Sequence, residues 1–231
     1  MRIGILGGTF DPVHKGHLHL ARSAQRSLRL NRVYFVPAYL PPHKAGLRAT
    51  MSPARLRYAM LKLALARRRY FRLSAFELKK RRKVYTIETV RAFRRRFPGR
   101  HELFLLTGAD NLAILHQWKY VDKITKICCF IVAARPGAKK RNVPGIQWLE
   151  IPRVPVSATE VRARARSGRS LRSWVPAAVE RFAGGRCAAG AQNVCTAFIS
   201  RSSTYQRLSL TLRTVVNIGD AFRSPCVNST R

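Results

Sequence analysis

A glycine- and histidine-containing run near the amino terminus constrains the fold of this chain more than any other feature. It spans residues 7–18 and reads Gly-Gly-Thr-Phe-Asp-Pro-Val-His-Lys-Gly-His-Leu. The apolar run at 3–6 predicts a strand before it, and the amphipathic pattern from Leu18 onward predicts a helix. A glycine turn with two histidines therefore lies where a strand passes into a helix.

This turn has the properties of an anion-binding site. Gly7 and Gly8 have no Cβ, so a ligand can approach the backbone closely. The free N–H groups at a helix N-terminus favour a phosphate, and His14 and His17 can direct imidazole N–H groups at the same anion. The alternatives are a capping loop with solvent-exposed histidines and a zinc site. Two histidines without a nearby cluster of cysteines or carboxylates do not complete a zinc shell.

Strand-like and helix-like segments alternate up to about residue 183. The pattern predicts strands at 32–36, 71–76, 103–106, 127–133 and 147–151, and helices at 53–66, 86–97 and 110–115. Ser52 and Thr86 are the predicted N-caps, and Pro53 is the predicted first residue of its helix. This order predicts an α/β fold, a Rossmann-like doubly wound parallel sheet with helices on both faces. Such sheets bind ligands at the carboxyl ends of their strands.

The loops after the later strands carry further candidate residues. Prolines stiffen the segment 37–44, where Lys44 supplies a cation. Asp110 could accept hydrogen bonds from ribose hydroxyls, and Trp118 offers a flat face to an aromatic ring. Taken alone, Lys44 is more typical of a solvent-exposed loop, and Trp118 is more typical of a protein core.

A second helix N-terminus with anion-binding properties lies at 156–162, which reads Val-Ser-Ala-Thr-Glu-Val-Arg. Ser157 and Glu160 form a capping-box pattern, which predicts a helix start with N–H groups facing outward. Arg162, one turn into the helix, can bind two phosphate oxygens with its planar guanidinium. A capped surface helix is the alternative interpretation.

These segments resemble one known family. The run at 7–18 resembles the T/HxGH signature of the nucleotidyltransferase superfamily, and its full length is similar to that of bacterial nicotinate-nucleotide adenylyltransferases. The run at 156–162 resembles the second superfamily signature, ISSTxIR, although Ala158 replaces one serine and removes one hydroxyl contact. The segment 85–89 resembles the family's YTIDT-like segment, with Glu88 where aspartate is commoner. Two further features match the family: the Gly-Ala-Asp at 108–110 followed by Trp118, and the Arg-Pro-Gly at 135–137.

The resemblance implies adenylyl transfer from ATP to nicotinate mononucleotide, which gives nicotinate adenine dinucleotide and pyrophosphate in NAD biosynthesis. Mg²⁺ would be carried with ATP, without a protein metal site. Catalytic roles are implied for His14, His17, Lys44 and Arg162. ATP contacts are implied for Gly8, Thr9, Phe10, Gly108, Asp110, Ser157 and Thr159. Contacts to the nicotinate nucleotide are implied for Thr86 and Trp118. Sister enzymes that use nicotinamide mononucleotide or phosphopantetheine are the nearest alternatives.

The chain is strongly basic, with 45 lysines and arginines against 10 acidic residues and a formal net charge of +35. Such a charge is typical of proteins that contact nucleic acid or anionic surfaces. Here the basic residues are spread along patterned helices and strands, which favours solvated faces. No RNP, KH or zinc-knuckle motif is present, so we do not expect a nucleic-acid partner. A basic RNA-binding protein on this fold is the alternative from another class. The sequence leaves the oligomeric state, homo-oligomers included, open.

Cysteine usage and apolar run lengths predict a cytoplasmic protein without a membrane partner. The five cysteines are odd in number and form no CxxC pair, which argues against a disulfide framework. We find no secretory signal pattern, and the longest apolar run, at 127–134, is too short to span a bilayer.

The resemblance ends at about residue 183, and we predict the domain boundary there. Residues 184–231 form a basic tail rich in Ser, Thr and Ala, which we expect to be loosely ordered. A small added element and translation past the natural stop are the alternatives.

Overall fold

Six parallel strands form one sheet in the part of the chain that the structure describes. The computed structural model describes residues 1–42, 51–111, 115, 118–134, 136–138, 140, 143–152 and 154–184. The strands are β1 (Arg2–Gly8), β2 (Arg32–Pro37), β3 (Phe71–Leu73), β4 (Glu102–Gly108), β5 (Cys129–Ala134) and β6 (Ile146–Glu150). Their order is β3-β2-β1-β4-β5-β6. This order and the parallel pairing confirm the predicted Rossmann-like doubly wound sheet.

Seven helices cover the two faces of the sheet within the described ranges. They are α1 (Lys15–Ser27), α2 (Ala54–Leu65), α3 (Phe76–Lys80), α4 (Thr86–Arg96), α5 (Val121–Ile127), α6 (Ala158–Arg166) and α7 (Ala177–Gly184). Apolar residues of α1, α2, α6 and α7 share one core cluster, and those of α4 and α5 share a second. The buried strands contribute to both clusters, because successive side chains of a strand point to opposite faces. None of the described helices is long and apolar enough to cross a membrane.

The direction of chain winding reverses between β1 and β4. From β1 the chain proceeds outward through β2 to β3, and it then crosses to β4 on the other side of β1. Loops that leave the carboxyl ends of β1 and β4 therefore diverge and open a crevice at this switch point. The glycine turn follows β1 at Gly8, and the Gly108–Asp110 segment follows β4.

Three predicted boundaries of strands and helices were wrong by one to three residues. The strand predicted over 71–76 ends at Leu73, because the Ser74 hydroxyl accepts the Phe76 N–H at 3.3 Å and turns the chain into α3. Pro53, rather than Ser52, is the N-cap of α2, and its carbonyl accepts the first helical hydrogen bonds. Tyr85, rather than Thr86, is the N-cap of α4, because the Glu88 carboxylate accepts the Tyr85 N–H at 3.1 Å.

Two further predictions fall partly or wholly outside the described residues. The helix predicted over 110–115 begins as a single 3₁₀ turn at 109–111, but residues 112–114 are not described. Residues 185–231, nearly the whole predicted tail, also lie outside the described ranges.

Candidate active site

The two histidines of the glycine turn stack on each other at the start of α1. The ring centroids of His14 and His17 lie 3.7 Å apart with an interplanar angle of 26°. Buried Phe10 supports His17 edge-on, with ring centroids 4.9 Å apart. The backbone N–H of His14 donates to Nδ1 of His17 at 3.3 Å. Because Nδ1 of His17 accepts this bond, the ring proton of a neutral His17 lies on Nε2.

His14 is held as a neutral imidazole. Only 7% of the residue is exposed, and this burial lowers its pKa from 6.5 to about 4, although the charge of Glu160 acts in the opposite direction. Its Nδ1 is buried without a hydrogen-bond partner within the described part of the chain. At neutral pH, the His14 ring therefore carries a polar N–H rather than a full positive charge.

The backbone of the glycine turn is open to a ligand at Gly7. Gly7 is exposed, and a Cβ built there would meet no described atom within 4 Å. A Cβ at Gly8 would lie 3.1 Å from the Phe10 ring, so Gly8 packs on the phenylalanine. Thr9, which is half-buried, lies between Gly8 and Phe10. The turn thus gives an anion close access to the main chain at the carboxyl end of β1.

The two signature segments, about 140 residues apart in sequence, lie in direct contact. Nη1 of Arg162 donates to the Asp11 carbonyl at 2.6 Å, and Nη2 donates to the Thr159 hydroxyl at 3.3 Å. A Cβ at Gly16 would lie 3.4 Å from the Val156 carbonyl oxygen. The start of α6 therefore lies against the start of α1, and Arg162 fixes the two segments to each other.

The predicted capping box at the start of α6 is confirmed. The Ser157 hydroxyl accepts the Glu160 N–H at 3.2 Å, and the Glu160 carboxylate accepts the Ser157 N–H at 3.0 Å. Ser157 and Thr159 are both exposed at this helix start. At the start of α1, by contrast, the Lys15 N–H already donates to the Trp174 carbonyl at 2.9 Å, so this group does not serve a ligand as the sequence suggested.

The loop after β4 forms the opposite side of the crevice. Gly108 is half-buried, and a Cβ there would lie 4.0 Å from Cδ1 of Leu20 on α1. Asp110 is exposed in the following 3₁₀ turn. The candidate ribose contact at Asp110 therefore lies in a loop that begins beside α1.

The predicted nicotinate residues lie in neighbouring segments. The Lys119 ammonium lies 4.9 Å from the centre of the Tyr85 ring, which brings the Trp118 loop to the start of α4, where Thr86 is half-buried. One face of the Trp118 indole stacks on Phe130, with centroids 5.6 Å apart. Trp118 is thus partly a core residue, as the alternative interpretation held, and partly exposed.

Lys44 and Arg135 lie outside the described residues. The ends of the segment that carries Lys44 are described, at 38–42 and 51–53. The position of Lys44 relative to the histidines stays a prediction.

Sequence reasoning missed a buried ionic cluster beside the glycine turn. Asp11, Arg57 and Glu77 are 5%, 0% and 8% exposed. The Thr89 hydroxyl donates to the Glu77 carboxylate at 2.7 Å, yet burial raises the pKa of Glu77 to about 7. Nothing in the sequence distinguishes Arg57 from the other basic residues of α2, because its partners are carbonyl groups from distant segments.

A Rossmann-like sheet with a glycine–histidine turn and an arginine-bearing helix at its switch point defines a nucleotidyltransferase. A family model described as cytidylyltransferase-like matches residues 5–164. The chain is 44% identical over 181 residues to a probable nicotinate-nucleotide adenylyltransferase of Thermus thermophilus, covering 78% of this chain and 95% of that protein. A protein of the same description from Shouchella clausii is 38% identical, with 78% and 93% covered. The chain belongs to the nicotinate-nucleotide adenylyltransferase family.

Solved structures show the same fold at lower sequence identity. The Plasmodium falciparum nicotinic acid mononucleotide adenylyltransferase complexed with NaAD superimposes with a TM-score of 0.64 at 15% identity, over 78% of this chain and 92% of that chain. The structure of that enzyme complexed with APC gives a TM-score of 0.63.

Proposed function

We propose that this chain transfers the adenylyl group of ATP to nicotinate mononucleotide, giving nicotinate adenine dinucleotide and pyrophosphate in NAD biosynthesis. The observation that carries this proposal is the contact between the two signature segments. Arg162 on α6 binds the glycine turn at the Asp11 carbonyl, beside the stacked His14 and His17. Polar groups of both segments thereby converge where a triphosphate would lie.

In the proposed reaction, a phosphate oxygen of the mononucleotide attacks the α-phosphorus of ATP. A new oxygen–phosphorus bond forms, and the bond between the α-phosphorus and the bridging oxygen breaks, so that pyrophosphate leaves with the electron pair. The attacking phosphate is already ionised, so no general base is needed. Catalysis then depends on positioning and on stabilising charge at the phosphoryl oxygens.

Each site residue has a role that follows from its chemistry. His17 donates through Nε2–H and His14 through its neutral ring, while Gly8, Thr9 and the open backbone at Gly7 receive the triphosphate. Arg162 has further N–H groups beyond those that hold Asp11 and Thr159, and these can neutralise phosphate charge. We assign Lys44 to the departing pyrophosphate on the resemblance alone.

The substrate is proposed to be the Mg²⁺ complex of ATP. In the described ranges, no group of three or more His, Cys, Asp and Glu side chains is placed to hold a metal ion. On the resemblance, we assign Mg²⁺ to the triphosphate, where it would neutralise charge on the departing pyrophosphate.

The proposed compartment is the cytoplasm. Cys128 and Cys129 are free thiols, and burial raises the pKa of Cys128 to about 12, which keeps this thiol protonated and unreactive. The proposal includes no nucleic-acid partner.

Isotopic labelling tests the proposed reaction directly. The chain is incubated with Mg²⁺, nicotinate mononucleotide and ATP labelled at either the α- or the γ-phosphate. We expect the α-label in the dinucleotide and the γ-label in pyrophosphate. His17→Ala should lower the rate by about a hundredfold or more, with a circular dichroism spectrum like that of the wild type. Label in free phosphate, or an unchanged rate in the folded variant, would overturn the proposal.

A further inference from the structure

A single buried guanidinium connects the glycine turn to the segment after β2. Arg57 lies in the first turn of α2 and is 0% exposed. Its Nη1 donates to the carbonyls of Thr9 and Ala38, both at 2.7 Å. Its Nη2 donates to the Tyr39 carbonyl at 3.2 Å, and its Nε donates to the Ser52 carbonyl at 3.0 Å. One side chain therefore satisfies four carbonyl groups of three separate stretches.

These carbonyls belong to the two loops that the proposed reaction uses. Thr9 lies in the glycine turn, two residues before Asp11. Ala38 and Ser52 lie near the two ends of the segment 38–53, which carries Lys44. The Ser52 N–H donates to the Asp11 carboxylate at 3.0 Å, so this end of the segment is bound to the glycine turn directly as well as through Arg57. Both ends of the Lys44 segment are thus fixed to the loop that holds His14 and His17.

The arrangement is specific to arginine. A guanidinium is planar and presents five donors in fixed directions, whereas a lysine ammonium is compact and has three donors, too few for four carbonyls. Burial lowers the pKa of Arg57, and the nearby charges of Asp11 and Glu77 act in the opposite direction. An unpaired charge at this depth would be strongly destabilising, so its partners must stay in place around it.

We propose that Arg57 is a positioning residue for adenylyl transfer, which holds the glycine turn against the described ends of the segment 38–53, at Ala38 and Ser52. This inference rests on the proposed function. Arg57 is fully buried, so its effect on the reaction passes through the backbone of Thr9, Ala38, Tyr39 and Ser52. A displacement of reacting groups by about 1 Å can cost about a hundredfold in rate. Arg57 variants should therefore lose kcat mainly, with smaller changes in KM.

Steady-state kinetics of Arg57→Met and Arg57→Lys test this inference. We expect kcat to fall by about tenfold to a hundredfold in both folded variants, with the KM for MgATP and for the mononucleotide changed much less. Arg68→Met is the matched control, because Arg68 follows the same helix and donates to one carbonyl, that of Ala64 at 3.0 Å. The control should keep the wild-type kcat.

Chemical rescue separates positioning from a purely structural role. In Arg57→Ala that is already fully folded by circular dichroism, added guanidinium ion should restore kcat severalfold, and sodium chloride at the same ionic strength should not. A kcat within twofold of wild type in folded Arg57→Met would overturn the inference, as would failure of every Arg57 variant to fold or absence of rescue. A wild-type chain inactive with every mononucleotide would instead overturn the proposed function.

Discussion

Replacement of His14 by glutamine should remove an acid-dependent loss of stability from the folded protein. Burial lowers the pKa of His14 to about 4, whereas the ordinary value in an unfolded chain is 6.5. Between these two pH values the unfolded chain binds the proton and the folded chain does not. The free energy of unfolding therefore falls as the pH drops through this window, and the His14 contribution does not change above it.

The magnitude follows from the distance between the two pKa values. About 2.5 pH units at about 1.4 kcal/mol each give roughly 3 kcal/mol of stability lost by pH 4. Glutamine cannot take up this proton, so the wild-type protein should lose roughly that much relative to His14→Gln. The difference between the two proteins is diagnostic, because Glu77 titrates in the opposite sense over an overlapping range.

Urea denaturation of both proteins at a series of pH values measures this difference. We expect a constant difference above about pH 7 and a progressive loss for the wild type from about pH 6.5 to about pH 4. Curves that stay parallel over the whole range would show that His14 is solvated in the folded protein. That result would refute the neutral, buried imidazole in the proposed site.

Three further outcomes follow from the structure and the sequence. Glu77→Gln should become progressively more stable than the wild type as the pH rises from about 4.5 to above 7, by roughly 3 kcal/mol in urea denaturation, because burial raises the Glu77 pKa to about 7; a difference that does not change with pH would contradict this. Trp118→Ala should raise the KM for the mononucleotide far more than that for ATP in the pyrophosphate-release assay, whereas an unchanged mononucleotide KM would make Trp118 a core residue only. Truncation after Gly185 should leave turnover and Tm nearly unchanged, and loss of either would show that the tail belongs to the folded enzyme.

The fold could be predicted from the sequence because the strand and helix patterns are local and repeat along the chain. The alternating pattern predicted all five strands after β1 close to their observed positions. It also predicted the doubly wound sheet. The predicted boundaries were wrong where a hydrogen bond to a single side chain determines the backbone conformation. The Ser74 hydroxyl ends β3 after Leu73, and the Glu88 carboxylate makes Tyr85 the N-cap of α4. Such hydrogen bonds depend on a local geometry that periodicity does not encode.

The candidate site also contains residues that the sequence could predict and one that it could not. His14, His17, Ser157 and Arg162 lie in short motifs that can be recognised in sequence, and the structure brings these motifs into contact. Arg57 could not be recognised, because 45 basic residues share its character and its acceptors are backbone carbonyls of remote segments. Its proposed role rests on burial and on these hydrogen bonds, which exist only in the folded chain.

The preference for the acid over the amide mononucleotide tests the account most directly. The resemblance implies that Thr86 contacts the nicotinate nucleotide, and we propose that the helix N-terminus there binds the substrate carboxylate. Glu88 lies in the same turn of α4, but its charge is paired with Arg82 at 2.6 Å. The measurement is kcat/KM for nicotinate mononucleotide and for nicotinamide mononucleotide, with MgATP saturating and pyrophosphate release followed. We predict a clearly higher kcat/KM for nicotinate mononucleotide. An equal or higher value for nicotinamide mononucleotide would contradict it.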